Sequence, residues 1–234
     1  MEHKEIENKI LLSLKEKATL KQVVYGHTRA VFNAMKEILG SVEQEFNSEL
    51  TDFNERVKLQ FTDRGEFISQ LRVAGDMLIY SLHSNIFQFD RNHKVWELPY
   101  LKDDAMNGYC GIINIYNFLD DSFRYKRYDD LGYLIARVFV NRNNHYFVEG
   151  KRQMGFHYKN FGTETISMDA IREILAKAMA YALEFDLLVP PYDAVKLASV
   201  GQMTEKMHIS QMKTGKRLGF QFNSDDVLEE KESA

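Results

Sequence analysis

Cysteine, proline and tryptophan are scarce in this sequence, and long apolar runs are missing. Cys110 is the only cysteine among 234 residues, so no disulfide can form within the chain, as is usual in a reducing compartment. No window approaches the roughly 20 apolar residues of a membrane span. The charged segment 1–17 also lacks the apolar stretch of a signal peptide. We therefore expect a cytoplasmic protein with a buried, inert thiol and no membrane partner.

Several short motifs of common enzymes are also missing. The sequence contains no Walker-type glycine loop, no dinucleotide fingerprint after a strand, no Gly-x-Ser-x-Gly and no His-Glu-x-x-His. Its net charge of −4 gives no protein-wide field that would attract nucleic acid, so nucleic acid is not an expected partner. Apolar residues make up 44% of the chain, which is enough for a core.

Two helices are predicted in the first 50 residues, over about 3–17 and 20–47. Thr19 followed by Gln22 fits a capping box, which predicts a break near 17–19. Apolar residues recur at helical spacing in both helices: Ile6, Ile10, Leu11 and Leu14, then Val31, Phe32, Met35, Ile38, Leu39, Val42 and Phe46. Each stripe could pack on the domain or pair with a second copy, so a homodimer through 3–47 is one of two open alternatives.

From residue 55 onward the sequence alternates with the period of β-strands. Short segments of this kind are separated by Gly, Asn, Asp and Ser turns, which predicts an antiparallel meander rather than βαβ units. The predicted strands lie at 56–63, 66–76, 77–90, 109–119, 131–141 and 145–150. The apolar run 109–119 indicates a central strand, and the last two strands form a hairpin across Asn141–Asn144.

A C-terminal helix over 168–187 is predicted to pack on the sheet. Ser167 is a suitable N-cap, and one face carries Ile171, Ile174, Leu175, Ala178, Met179, Ala182 and Phe185. We therefore expect an α+β fold in which two N-terminal helices and one C-terminal helix flank an antiparallel sheet of about six or seven strands. Three segments are expected: an N-terminal helical segment over residues 1–50, an α+β domain over 51–223 and an acidic disordered tail over 224–234.

The pattern Glu149-Gly150-Lys151 is the strongest indication of an enzyme. It resembles restriction-endonuclease-like folds, in which an acid at one strand and Glu-x-Lys on the next hold a divalent metal. That resemblance implies that Asp130 and Glu149 bind the metal while Lys151 stabilises charge on the phosphate. Gly150 interrupts a strand, however, and the nearby basic residues are flanked by aspartates. We expect charges at the end of a hairpin, with a metal-dependent nuclease as the alternative.

A ligand site is the second candidate. Trp96 lies in the irregular segment 91–108, and long connections are often functional. Aromatic rings can stack on bases and guanidiniums can hold phosphates, so a small-molecule or nucleotide ligand is expected to contact some of these residues. The candidates are Trp96, Arg124, Tyr125, Arg127, Tyr128 and Arg152. The flanking aspartates leave a second interpretation open, in which the basic residues form internal ion pairs.

The leading hypothesis is a non-catalytic ligand-binding or interaction module with a regulatory role. The predicted layout resembles small-molecule sensor domains of the GAF or PAS kind, which often dimerise through an N-terminal helix. A purely structural oligomer is a third interpretation. His83, Asp90 and His93 lack the spacing of a metal site. We therefore expect no metal or other cofactor, except the divalent metal of the nuclease alternative.

Overall fold

The computed structural model describes residues 2–150, 161–184, 199–201 and 204. Lys151, Arg152, the end of the predicted C-terminal helix and the predicted tail 224–234 lie outside these residues. The sheet and the helices packed on it belong to one compact unit, and residues 120–131, which include the short helix α4 (Asp120–Arg124), belong to a second. The expected boundaries at residues 50 and 223 stay predictions.

Residues 2–49 form one helical run instead of two separate helices. Helix α1 (Glu2–Ser13) continues through a π-helical turn (Leu14–Ala18) into α2 (Thr19–Glu49). Ser13, Ala18 and Thr19 all have right-handed helical backbone angles. The Thr19 hydroxyl donates to the Leu14 carbonyl at 3.2 Å, inside the helix. The predicted capping box and break are therefore wrong, because a wider turn takes the place of an interruption.

The two halves of this helical run have opposite environments. Every residue from His3 to Lys17 is exposed. In α2 one face is buried and packs on the sheet, and it consists of Leu20, Val24, Thr28, Val31, Phe32, Met35, Ile38, Leu39 and Val42. Phe46, which the sequence pattern adds to this stripe, is 48% exposed. The second predicted stripe thus packs on the chain's own domain, whereas the first does not.

The sheet has seven antiparallel strands, which confirms the α+β class. Their order is β1-β2-β3-β5-β6-β7, and β4 pairs with the first residues of β5. The strands are β1 (Gln60–Asp63), β2 (Ile68–Val73), β3 (Asp76–Leu82), β4 (Phe87–Gln88), β5 (Tyr109–Leu119), β6 (Tyr133–Asn141) and β7 (Tyr146–Gly150). The predicted central position of β5 is confirmed. The first strand begins later than predicted, because the Val57 amide closes a turn on the Asn54 carbonyl at 2.8 Å.

Two apolar clusters cover the opposite faces of the sheet. Ile113, Ile115 and Val138 belong to the larger cluster, beneath α2 and α5 (Met168–Leu183). Neighbouring residues on the same strands point the other way and form a smaller cluster with the segment between β4 and β5. Cys110 lies in this second cluster, and burial raises the pKa of its thiol well above the usual range. The expected buried, inert thiol is confirmed.

The predicted C-terminal helix is confirmed over its described residues. The Ser167 hydroxyl accepts a hydrogen bond from the Ala170 amide at 3.1 Å, so Ser167 caps α5. All the apolar residues predicted for its inner face are buried, except Phe185, which lies outside the described residues. An ion pair between Arg172 and Glu45 joins α5 to α2.

Side chains of α2 form hydrogen bonds with backbone groups at the outer edge of β1. The Asn47 amide nitrogen donates to the Leu59 carbonyl, and its oxygen accepts from the Leu59 amide, both at 2.9 Å. A Glu43 oxygen accepts from the Phe61 amide at 3.0 Å. Three backbone groups along this edge therefore have helix side chains as partners.

Candidate functional site

Trp96 anchors the segment that crosses the second face of the sheet. This segment contains short helical turns at Lys94–Glu97, Pro99–Asp103 (α3) and Ala105–Gly108. The Trp96 indole nitrogen donates to the Asp90 carbonyl at 2.8 Å. A Cβ added to Gly108 would lie 2.7 Å from the Trp96 ring, so the two residues are in close contact. The predicted ligand role of Trp96 stays a prediction, since these contacts only hold the segment in place.

Asn141 fastens this segment to the β6–β7 turn. Its amide nitrogen donates to the Tyr100 hydroxyl at 2.9 Å and to the Asn107 carbonyl at 3.2 Å. Its oxygen accepts from the Asn143 and His145 amides at 2.9 and 3.1 Å. The side chain is fully buried and uses both donors and both acceptor positions. These five residues are called the Asn141 network, and they fix the turn and the segment together.

Aromatic rings fill the space beneath the same segment. Phe139 and Phe147 stack with ring centroids 4.6 Å apart, and Phe161 meets Phe147 edge-on at 5.0 Å. All three side chains are buried. Gly162 packs on the Tyr100 ring with a positive φ of 100°, a conformation that favours glycine. These aromatic residues serve as core.

Glu149, the acid of the predicted nuclease pattern, pairs with an arginine on the neighbouring strand. Arg137 and Glu149 are directly opposite each other in the β6–β7 ladder. The Arg137 Nε atom donates to a Glu149 oxygen at 2.5 Å, and a second guanidinium nitrogen contacts the same oxygen. Lys151 lies outside the described residues, so the nuclease pattern stays a prediction.

Within the second unit, Asp130 is also bound to an arginine. The Arg127 Nε atom lies 2.8 Å from a carboxylate oxygen of Asp130, and both side chains are about nine-tenths buried. The Ser122 hydroxyl donates to the same oxygen at 2.6 Å. An internal ion pair, one of the two alternatives for this basic segment, is therefore present.

The remaining predicted ligand residues of this unit differ in their exposure to solvent. Tyr125 is buried, whereas Arg124 is exposed and Tyr128 is 86% exposed. The exposed Tyr128 ring and the exposed Arg124 guanidinium are accessible to a ligand, and the buried Tyr125 ring would not be so without rearrangement. The ligand roles of Arg124, Tyr125, Arg127, Tyr128 and Arg152 stay predictions, and Arg152 lies outside the described residues.

His83 and His93, which were considered as metal ligands, each accept a hydrogen bond from a backbone amide in a turn. Nδ1 of His83 accepts from the Asn85 amide at 3.0 Å, and Nδ1 of His93 accepts from the Val95 amide at 3.1 Å. Among the residues that the structure describes, no three His, Cys, Asp or Glu side chains lie close enough to hold a metal ion together.

The Asp76 carboxyl has an unusually high pKa. Burial raises the pKa of its carboxyl from the ordinary 3.8 to about 6, although a hydrogen bond from the Asn117 side chain opposes the change. The unfolded chain releases this proton near pH 3.8 and the folded protein near pH 6. The stabilising effect of the bound proton is therefore present below the lower value and is lost as the pH rises through about 6.

We expect Asp76→Asn to stabilise the protein at neutral pH relative to the wild type, because asparagine cannot ionise. The difference in melting temperature should be larger at pH 8 than at pH 4 and should grow mainly between pH 4 and 6. Thermal unfolding followed by circular dichroism across this range measures it. Two melting curves that shift in parallel with pH would contradict the prediction.

The apolar side chains of α1 do not contribute to the core of the fold, because they are exposed. Five apolar side chains of this helical stretch are 50–57% exposed: Ile6, Ile10, Leu11, Leu12 and Leu14. Four residues advance an α-helix by about 400°. Ile6, Ile10 and Leu14 therefore form a slightly slanted row on one side, which we call the N-terminal stripe. Leu12 lies about 200° from Ile10, on the opposite side.

The open groove between α2 and α5 is more polar than the N-terminal stripe. It has a volume of about 300 Å³ and is lined by Glu37, Ile38, Ser41, Met168, Asp169 and Arg172. A Glu45 oxygen accepts from Ser41 at 2.8 Å, and Arg172 contacts the same carboxylate. These bonds link the two helices to each other across the groove.

Sequence reasoning found the N-terminal stripe but missed the Asn141 network and the Arg137–Glu149 pair. The predicted turn over residues 141–144 would pair Arg137 with Val148, but the hairpin is centred on Asn143, which brings Glu149 opposite Arg137. None of the helices in the described ranges is sufficiently long and apolar to pass through a membrane. In comparisons with known proteins, no family model, no curated protein and no solved structure matches this chain.

Proposed function

We propose that this protein is a non-catalytic interaction module that associates with a second copy of itself through the N-terminal stripe. The observation that carries the proposal is the exposure of α1. Every residue from His3 to Lys17 is exposed, although Ile6, Ile10 and Leu14 lie on one side. Fully burying such a side chain is worth about 1.5–3 kcal/mol, and about half of each is still exposed, so covering the row favours association.

The missing packing partner of α1 supports the same proposal. Most helical stability in proteins comes from packing of an apolar face. Helix α1 has 12 residues and is continuous with α2, which packs on the sheet through other residues. A partner that covers the N-terminal stripe would supply the packing that α1 lacks.

The charges of α1 suit a second copy as this partner. Glu7 precedes Ile10, Lys17 follows Leu14, and both charged side chains are exposed. A second copy offers the same apolar row together with both signs of charge, so no separate protein is needed to complement the helix.

Two further roles remain hypotheses beside this one. An exposed Arg124 and Tyr128 are compatible with the predicted small-molecule or nucleotide ligand, through which the module would be regulatory. The metal-dependent nuclease would use Asp130, Glu149 and Lys151. An interaction module is favoured over the nuclease because the carboxylates of Asp130 and Glu149 each already have an arginine partner.

We expect Ile10→Asp to weaken self-association and Leu12→Asp to leave it unchanged. These two aliphatic residues are almost equally exposed, at 54% and 55%, but lie on opposite sides of α1. A carboxylate at position 10 enters the contact from both copies, so the dissociation constant should rise at least tenfold, about 1.4 kcal/mol. Sedimentation velocity over a concentration series measures it. A wild-type chain that is monomeric at the highest concentration would refute the proposed function.

A further inference from the structure

Resting on the proposed function, we infer that the two copies of α1 pair in antiparallel orientation, with Ile10 facing Ile10 of the second copy and Ile6 facing its Leu14. The N-terminal stripe is symmetric about Ile10, since Ile6 and Leu14 each lie four residues, or about 6 Å along the axis, from it. A two-fold axis through Ile10 therefore superposes the apolar row of one copy on that of the other.

The four-residue spacing also determines how the helices cross. Ile6, Ile10 and Leu14 follow an i, i+4, i+8 ridge, and two ridges of this kind interdigitate when the helix axes are inclined by about 50°. The helices then diverge on either side of Ile10, which limits the apolar contact to two or three turns. The small contact predicts a weak, reversible association.

The apolar row alone would fit a parallel pair as well, and the charges beside it select the orientation. Glu7 is about 60° from the middle of the N-terminal stripe, and Lys17 lies beyond its other end, whereas Lys4, Glu5 and Lys15 point further away. Parallel packing would place Glu7 beside Glu7 and Lys17 beside Lys17. Antiparallel packing avoids both like-charge contacts and brings Glu7 of each copy to the same end of the pair as the partner's Lys17.

Two further features favour the antiparallel arrangement. The positive end of each helix dipole then lies beside the negative end of the other. The chain's own domain begins immediately after the N-terminal stripe, where Leu20 and Val24 are buried. A parallel pair would hold both domains at the same end of two helices only about 8–10 Å apart, whereas an antiparallel pair holds them at opposite ends.

Cysteine cross-linking of the full chain tests the orientation. The native Cys110 is buried and does not compete for oxidation. Three single variants are prepared, Ile6→Cys, Leu14→Cys and Leu12→Cys, of which the last is the matched control on the far side. In the antiparallel pair, two copies of position 6 are about 12 Å apart along the axis, beyond the roughly 7 Å limit for a disulfide.

After mild oxidation, we expect a covalent dimer from an equimolar mixture of Ile6→Cys and Leu14→Cys and little from either variant alone. Yields with Leu12→Cys should stay at background. Cross-linking of Ile6→Cys alone would show a parallel pair, and a sedimenting dimer without any cross-link would show a different contact surface. Both results overturn this inference and leave self-association standing. A monomer in sedimentation together with no cross-link overturns the inference and the proposed function alike.

Discussion

Replacing Gly111 with alanine should destabilise the protein by about 3 kcal/mol, the upper end of the usual range for overpacking. Gly111 lies in the central strand β5, beneath α2. A Cβ at this position would lie 2.7 Å from the Cβ of Thr28, closer than real carbon atoms approach. Thr28 has no room to retreat, because it is fully buried and its hydroxyl donates to the Val24 carbonyl at 2.8 Å. The helix would have to lift from the sheet.

Urea unfolding of Gly111→Ala measures this cost. Gly26→Ala is the matched control, since nothing lies within 4 Å of the added Cβ there and alanine favours a helix by about 1 kcal/mol over glycine. Combining Gly111→Ala with Thr28→Gly should recover some of the loss, because the clashing atoms are gone. A Gly111→Ala variant within about 0.5 kcal/mol of the wild type would show that α2 does not press on β5 at this position.

Asn141→Leu should cost about 3 kcal/mol, since leucine has a similar size but leaves partners of a buried amide unsatisfied. The Asn107 carbonyl and the His145 amide each lose a hydrogen bond, while the Tyr100 hydroxyl keeps one from Asn143 at 2.8 Å. Asn141→Asp should fall between wild type and leucine, because a carboxylate still accepts from the two backbone amides of the turn.

Fluorescence of Trp96, the only tryptophan, adds a local measurement to the unfolding curves. The Asn141 network holds the segment that carries Trp96. In Asn141→Leu, the Trp96 emission should therefore shift towards that of exposed tryptophan before global unfolding begins. Asn33→Leu, on the exposed side of α2, serves as the control and should change neither quantity. Equal unfolding curves for the two leucine variants would show that the network does not stabilise the fold.

Local patterns predicted those elements whose geometry depends on near neighbours in sequence. The helix α5 follows from its apolar spacing and from Ser167, and the β6–β7 hairpin follows from alternation around a four-residue turn. A turn over residues 141–144 would pair Arg137 with Val148, whereas the hairpin is centred on Asn143 and pairs Arg137 with Glu149. The pairing of the two charges therefore depends on a one-residue difference in register that local patterns did not predict.

Features that depend on distant regions of the chain were not predictable in this way. The stripes of α1 and α2 look alike in sequence, yet only α2 meets the sheet, because burial is decided by tertiary packing. The π-helical turn leaves no local signature, since Thr19 fits a cap equally well. The Asn141 network joins residues about 40 positions apart in sequence, such as Tyr100 and Asn141. The sequence left both stripes as candidates for an intermolecular contact, and only the structure shows that the stripe of α1 is the exposed one.

The Asn47 side chain also blocks the addition of a further strand at the β1 edge of the sheet. Its amide presents to Leu59 one donor and one acceptor, the same pair that a backbone would offer in an eighth strand. Uncapped edges recruit strands from other molecules and are the usual starting points of fibrils. Here recruitment at the β1 border requires the last turns of α2 to be pulled away first. Resistance to strand addition at this border is thus coupled to the stability of the end of α2 and depends on Asn47 together with Glu43.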